Sequence, residues 1–200
     1  MEEEKAEEIS RRILQEHWDA KAAITEGLIA GMDEVSRLYA DEIYFLPDLL
    51  TCADVMEASM RILRTALCNE SVGYDVRIVI GTVEGDTHDI GKNIVALFLE
   101  CAGFQVYDAG RDVSAKQFVQ KVQEVHADIL CLSTIMTTTM DRMSDVIREL
   151  EHSGLRDHVK VMIGGKPVSP KFAKEIGADG YSNKAADAVK LAKELSGVNS

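Results

Sequence analysis

Between Gly85 and Gly91 the sequence packs Asp86, His88 and Asp89 into four positions, Asp86-Thr87-His88-Asp89, and continues Ile90-Gly91-Lys92-Asn93. An imidazole with a carboxylate two residues away, able to accept its second ring N–H, is arranged as a good metal ligand. By itself such a tripeptide also fits a polar turn whose histidine caps the next helix. A zinc site would need three or four protein donors. The other histidines, His17, His126, His152 and His158, fall on or near predicted helices. Cys52, Cys68, Cys101 and Cys131 lie 16, 33 and 30 positions apart with no C-x-x-C, the pattern of four buried, reduced thiols.

The elements around this loop follow from periodicity. Short β-branched runs at Val76–Thr82, Phe104–Asp108, Asp128–Ser133, Lys160–Ile163 and Gly180–Ser182 alternate with helical patterns near 91–102, 115–125, 140–152, 170–176 and 184–195. That alternation predicts right-handed crossovers and a five-stranded parallel sheet covered on both faces, a doubly wound, flavodoxin- or Rossmann-like α/β fold of order 2-1-3-4-5. Ligands then bind beyond the carboxyl ends of the strands, where the His88 loop emerges. A single protein imidazole suffices there if a macrocycle brings the equatorial ligands.

Residues 1–72 read differently. Leu49, Ala53, Met56, Met60, Leu63 and Leu67 recur at steps of 4, 3, 4, 3 and 4, one stripe of a helix that Pro47 and Asp48 start well. Ile9, Ile13 and Leu14, then Leu28, Met32, Val35 and Leu38, predict shorter helices separated near Gly31. A small all-α bundle of about four helices over 1–72 followed by an α/β domain over 73–200 is the expected organisation, with the polar stretch Asn69–Asp75 as the boundary.

Composition excludes several classes of function. With 22 Lys and Arg against 34 Asp and Glu, the net charge is −12, and five glutamates fall in the first eight residues; a nucleic-acid or anionic-lipid partner is not expected. No apolar run approaches the roughly 18–20 residues of a membrane span, and the acidic start is unlike a secretory signal. A cytoplasmic protein is expected. A serine hydrolase is excluded because Ser133 lies in no G-x-S-x-G turn.

Three motifs, each at the end of a predicted strand, carry a resemblance. Asp86-x-His88-x-x-Gly91 is followed after 41 residues by Ser133-Thr134-Ile135, and after a further 28 by Gly164-Gly165. This resembles the D-x-H-x-x-G … S-x-L … G-G pattern of the cobalamin-binding proteins, with Ile135 in place of the usual Leu. The run Asp86-Thr87-His88-Asp89-Ile90-Gly91-Lys92-Asn93 is similar to the form found in corrinoid methyltransferase proteins, whereas carbon-skeleton mutases usually carry D-x-H-D-R-G. Tyr44 to Leu50, followed by Ala53, Val55 and Met56, resembles the helical cap of methionine synthase and of small corrinoid proteins.

The resemblance implies the following roles. His88 is the lower axial ligand of cobalt, replacing the cofactor's own benzimidazole; Asp86 holds its ring and favours its protonation when it lets go. Thr139, six places after Ser133, completes a proton relay. Gly85, Thr87, Asp89, Ile90 and Gly91 form the binding loop. Ser133, Ile135 and Thr137 meet the displaced nucleotide tail, and Gly164 and Gly165 leave backbone room for it. Phe45 and Leu46 cover the methyl group.

The implied activity is that of a carrier, not an enzyme by itself: a protein that moves a methyl group on cobalt between a substrate-specific methyltransferase and a second methyltransferase with a tetrahydrofolate- or thiol-type acceptor. A reductive activator of the corrinoid is an expected third partner. A mutase subunit and a cobalamin-sensing regulator are the alternatives. Taken singly, Ser133 and Thr137–Thr139 could also cap the following helix, Gly164-Gly165 could be a plain turn, and Phe45 and Leu46 could be ordinary core.

Overall fold

The computed structural model describes residues 2–67 and 74–198. The chain separates into two compact units, Met1–Glu70 and Ser71–Ser200. Cys68 and the boundary stretch through Gly73 lie outside the described residues, as do the side chains of Leu46, Leu49 and Leu67.

In the first unit, α1 (Glu2–Gln15) is followed by a helical run of α2 (Ala20–Ala22), a π-helical segment (Ala23–Ile29) and α3 (Ala30–Ala40), and then by α4 (Leu46–Leu67). The expected break near Gly31 is absent: Gly31 lies inside α3. The chain breaks earlier, where His17 adopts φ 56° and the Asp19 carboxylate caps the amides of Lys21 and Ala22 at 2.8 and 3.1 Å. An N-cap with a left-handed residue before it decides the boundary more strongly than one helix-compatible glycine. Ile13, Ile24, Met56, Ala58 and Leu63 are buried in this unit, while Trp18, Ile43, Phe45 and Leu50 are exposed.

The second unit runs β1 (Arg77–Val83), α5 (Ile90–Cys101), β2 (Gln105–Val113), α6 (Ala115–Val125), β3 (Ile129–Ser133), a 3-10 turn (Thr137–Thr139), α7 (Asp141–His152), β4 (Lys160–Gly164), α8 (Pro170–Ile176), β5 (Gly180–Tyr181) and α9 (Ala185–Ser196). The strands form one parallel sheet in the order β2-β1-β3-β4-β5, as the alternation predicts. Alternate strand residues feed opposite layers. Val79, Leu130, Leu132, Val161 and Ile163 pack with Phe118 and Val122 of α6 and with Met143, Val146 and Leu150 of α7. Ile78, Ile80, Ile129, Cys131 and Met162 pack with Leu99 of α5 and Ala188 and Ala192 of α9.

β2 is longer than its sequence suggests, reaching Val113 through the polar run Asp108-Ala109-Gly110-Arg111-Asp112, whose residue types are poor strand formers. Of the four cysteines expected to be buried, Cys131 is, and burial pushes its thiol pKa up to about 12; Cys52 and Cys101 are half-buried. Among the described residues no helix is long and apolar enough to cross a membrane.

Candidate functional site

β1 and β3 are neighbours in the sheet, yet the crossovers leaving them run to opposite faces, which opens a crevice at their carboxyl ends. The β1–α5 loop carries Asp86 and His88 into that place. Thr82 of β1 stands opposite Ser133 of β3, so the residues that follow Ser133 face the same loop.

Asp86 is fully buried and its carboxylate is saturated. Oδ1 accepts the His88 backbone N–H at 2.9 Å and pairs with His88 Nδ1 at 2.7 Å. Oδ2 accepts the Thr134 hydroxyl at 2.6 Å and the Ile135 N–H at 2.8 Å. Burial alone would raise this carboxyl's pKa; the donors from Thr134, the two backbone amides and the His88 ring outweigh it, leaving the pKa below its ordinary value. The group is therefore a carboxylate at neutral pH, and His88 Nδ1 must be the donor. That fixes the neutral ring as the Nδ1–H tautomer, with the Nε2 lone pair directed away from Asp86. The His88 side chain is 54% exposed, and Nε2 has no partner among the described residues.

The hydroxyl chain behind Asp86 has one member more than the sequence indicates. Thr139, at the end of the 3-10 turn, does not reach Asp86 in the hydrogen-bond network directly; its Oγ1 lies 2.7 Å from Thr134 Oγ1, and Thr134 makes the contact with the carboxylate. Because Thr134 gives its single proton to Asp86, Thr139 donates to Thr134. Thr134 is fully buried and Thr139 nearly so. The signal for Thr134 was its place directly after a central strand beside the His88 loop, but only the β1–β3 register shows which of the hydroxyls from Ser133 to Thr139 turns inward.

The remaining predicted residues separate into those the site gathers and those it leaves apart. Gly85 and Asp89 flank the Asp86–His88 pair, and Asp89 is the N-cap position of α5 without a side-chain cap bond. Thr87 is exposed. Ile90 and Ile135 are unusually exposed for their type, at 38% and 44%. Ser133 is half-buried at the end of β3 and Thr137 exposed on the 3-10 turn, with no polar side-chain partner for either among the described residues. Phe45 is 65% exposed in the helical unit. Leu46 opens α4, and its side chain lies outside the described residues.

The glycine pair answers a demand of the chain itself besides the room expected of it. A Cβ on Gly164 would lie 2.6 Å from the Ser182 carbonyl oxygen, and one on Gly165, at φ 127°, would lie 1.7 Å from that of Thr134. These glycines are required by close approach of the chain's own backbone. Gly91 behaves in the opposite way: a Cβ there would meet no protein atom within 4 Å.

Among the described residues no three His, Cys, Asp or Glu side chains are grouped to hold a metal ion. A bare ion is thus poorly served. A group that brings its own metal and a broad apolar face fits better: one outward nitrogen, exposed Ile90 and Ile135, and free space at Gly91.

Known proteins agree with that fit. Residues 76–190 match the B12 binding domain family, and residues 1–64 match a second family model also described as B12 binding domain. Dimethylamine corrinoid protein 1 of Methanosarcina acetivorans is 47% identical over 178 residues, covering 88% of this chain and 84% of that protein. The structure of Methanosarcina barkeri monomethylamine corrinoid protein superposes with a TM-score of 0.85 at 35% identity, covering 94% of this chain and 89% of that one. A chain of the methanol:cobalamin methyltransferase complex of Methanosarcina barkeri matches with a TM-score of 0.59 at 32% identity, covering 91% of this chain and 69% of that one. From the crevice, the lone imidazole and these relatives together, the chain belongs to the B12-binding domain family, and its cofactor is a corrinoid.

Proposed function

We propose that this protein carries a methyl group on its bound corrinoid between two methyltransferases, with His88 as the lower axial ligand in place of the benzimidazole. When bound, the corrinoid would supply cobalt chemistry for taking up and passing on a methyl group. The observation that carries the reading is the His88 ring, held by buried Asp86 at Nδ1 with Nε2 exposed and unpaired among the described residues. Asp86 fixes the tautomer that leaves a lone pair on Nε2. With a corrinoid bound, Nε2 would hold its metal while the Asp86 carboxylate orients the ring through Nδ1. Thr134, backed by Thr139, and the Ile135 N–H hold the second carboxylate oxygen, which keeps the Asp86–His88 geometry in place.

The relatives support the partner and donor classes in this reading. Two are named for methylated amines and one belongs to a methanol:cobalamin methyltransferase complex. We assign a methylated amine as the donor class, since the highest of the quoted identities is to a dimethylamine corrinoid protein. The methyl acceptor would be a tetrahydrofolate- or thiol-type substrate of the second methyltransferase, and a reductive activator would return oxidised corrinoid to service. Phe45, exposed on the helical unit, suits the methyl-covering role expected of it.

Reconstitution with hydroxocobalamin tests the core of this. The protein should take up one equivalent of corrinoid, and His88→Ala should change the visible spectrum and weaken retention by about 10- to 100-fold, the usual scale for disturbing a ligand and its support. Failure to bind, or a variant with an unchanged spectrum, rejects the reading.

A further inference from the structure

Strand β2 does not simply pair with β1. Ile80 stands opposite Asp108, Gly81 opposite Gly110 and Val83 opposite Val113, so β2 carries one extra residue at each of two steps. The second of these bulges ends in Asp112, which is not a glycine yet adopts φ 55°. Asp tolerates this region better than most residues, but a left-handed non-glycine beside a functional loop is a reason to ask what it holds.

Asp112 grips both ends of one dipeptide. Its Oδ1 accepts the Gly85 N–H at 2.7 Å, and its own N–H donates to the Asp86 carbonyl at 3.0 Å. The rest of the bulge is tied to the other end of the same loop. Asp108 accepts the Gly110 N–H at 2.8 Å and pairs at 2.5 Å with Lys92, whose side chain is almost wholly buried; Lys92 also donates to Asn93 at 2.7 Å. Arg111 stands 4.0 Å from Asp89. Gly85, Asp86, Asp89 and Lys92 are thus all tied to β2, and His88, in the middle, is left untouched by it.

We propose that Asp112 is a positioning residue for the axial ligand: by clasping the Gly85–Asp86 backbone from β2, it sets the Asp86 carboxylate where it meets both His88 Nδ1 and Thr134. The assignment rests on the carrier reading for its purpose and on these contacts for its geometry. Gly85 at φ 85° gives the loop no stiffness of its own, while an axial ligand must be held to within about 0.5 Å of its productive place. Asp112 lies 27 residues beyond Gly85 and outside all three motifs.

Two substitutions isolate the role. Asp112→Asn keeps an acceptor oxygen and tolerates the left-handed backbone; Asp112→Gly keeps only the backbone. In the corrinoid-free protein, nitrogen-15 NMR of the His88 ring at fixed pH reads the tautomer. Wild type and Asp112→Asn should show the Nδ1–H form, and Asp112→Gly should lower the Nδ1–H to Nε2–H ratio about fivefold, the value of one hydrogen bond. With hydroxocobalamin added, the same variant should show about fivefold weaker retention, again restored by Asn. A wild-type tautomer ratio in Asp112→Gly, or no rescue by Asn, overturns the proposal. Should Asp112→Gly not accumulate, hydrogen exchange in the wild type decides: the Gly85 and Asp112 amides should exchange at least about tenfold more slowly than that of exposed Thr87, and equal rates overturn it. A tautomer shift in a protein that binds no corrinoid would uphold the clasp and reject the carrier reading.

Discussion

Two loops at the carboxyl end of the sheet contain glycines that serve opposite needs. After β4, Gly164 and Gly165 bring three stretches of backbone so close together that no side chain fits between them. After β1, Gly91 sits in the first turn of α5 with nothing of the protein against it. A helical glycine costs about 0.5–1 kcal/mol relative to alanine, and no neighbouring element of the protein requires one at Gly91. The contrast separates glycines that the chain's own backbone requires from one that it does not, although both appear in the sequence simply as motif glycines.

The largest effect should come from Gly165→Ala. With φ 127° and a Cβ 1.7 Å from the Thr134 carbonyl, the substitution should cost about 3 kcal/mol or more. Thermal denaturation should show a fall of roughly 6–12 °C for a chain of this size, or no folded protein; a melting temperature within about 2 °C of wild type would refute the packing role. Next is Asp86→Ala. It strands two backbone amides and the Thr134 hydroxyl in a buried place, for a loss of about 2–3 kcal/mol in urea denaturation, whereas His88→Ala on the same loop should stay under about 1 kcal/mol.

Asp86 should also leave a mark on acid stability. Its folded pKa lies below the ordinary aspartate value, so its stabilising contribution is complete above the unfolded value and is lost as pH falls through the folded one. The stability gap between wild type and Asp86→Asn should therefore narrow as pH falls below the ordinary aspartate range, followed by denaturant titration at each pH; a gap that widens there has the wrong sign. The smallest effect completes the glycine comparison. Gly91→Ala should stabilise the corrinoid-free protein by about 0.5–1 kcal/mol while weakening corrinoid retention, and a variant that loses stability would mean that the protein itself fills that space.

Much of this was legible in sequence because it is governed by local rules. The switch from period-3.6 to short β-branched runs gives the sheet and its order, and the spacing of Asp86, His88, Ser133 and Gly164 places them at strand ends. What escaped depends on register and on backbone approach. Thr134 rather than Thr139 touches Asp86 because Thr82 pairs with Ser133, a choice that strand propensity does not specify. Asp112 escaped because β2 continues through residues that read as a turn. The backbone approach at the glycine pair is hidden in sequence because a sequence does not reveal which neighbour occupies the space beside a missing Cβ.

The central claim is that His88 Nε2 binds cobalt. Protein grown with nitrogen-15 histidine, loaded with unlabelled cobalamin and reduced to the paramagnetic cobalt(II) state, reads this directly by electron paramagnetic resonance. If His88 is the axial ligand, the triplet superhyperfine pattern of a nitrogen-14 donor becomes a doublet, and His88→Ala abolishes the doublet. A triplet that persists despite the label would mean that the benzimidazole still holds the metal, and would contradict the account.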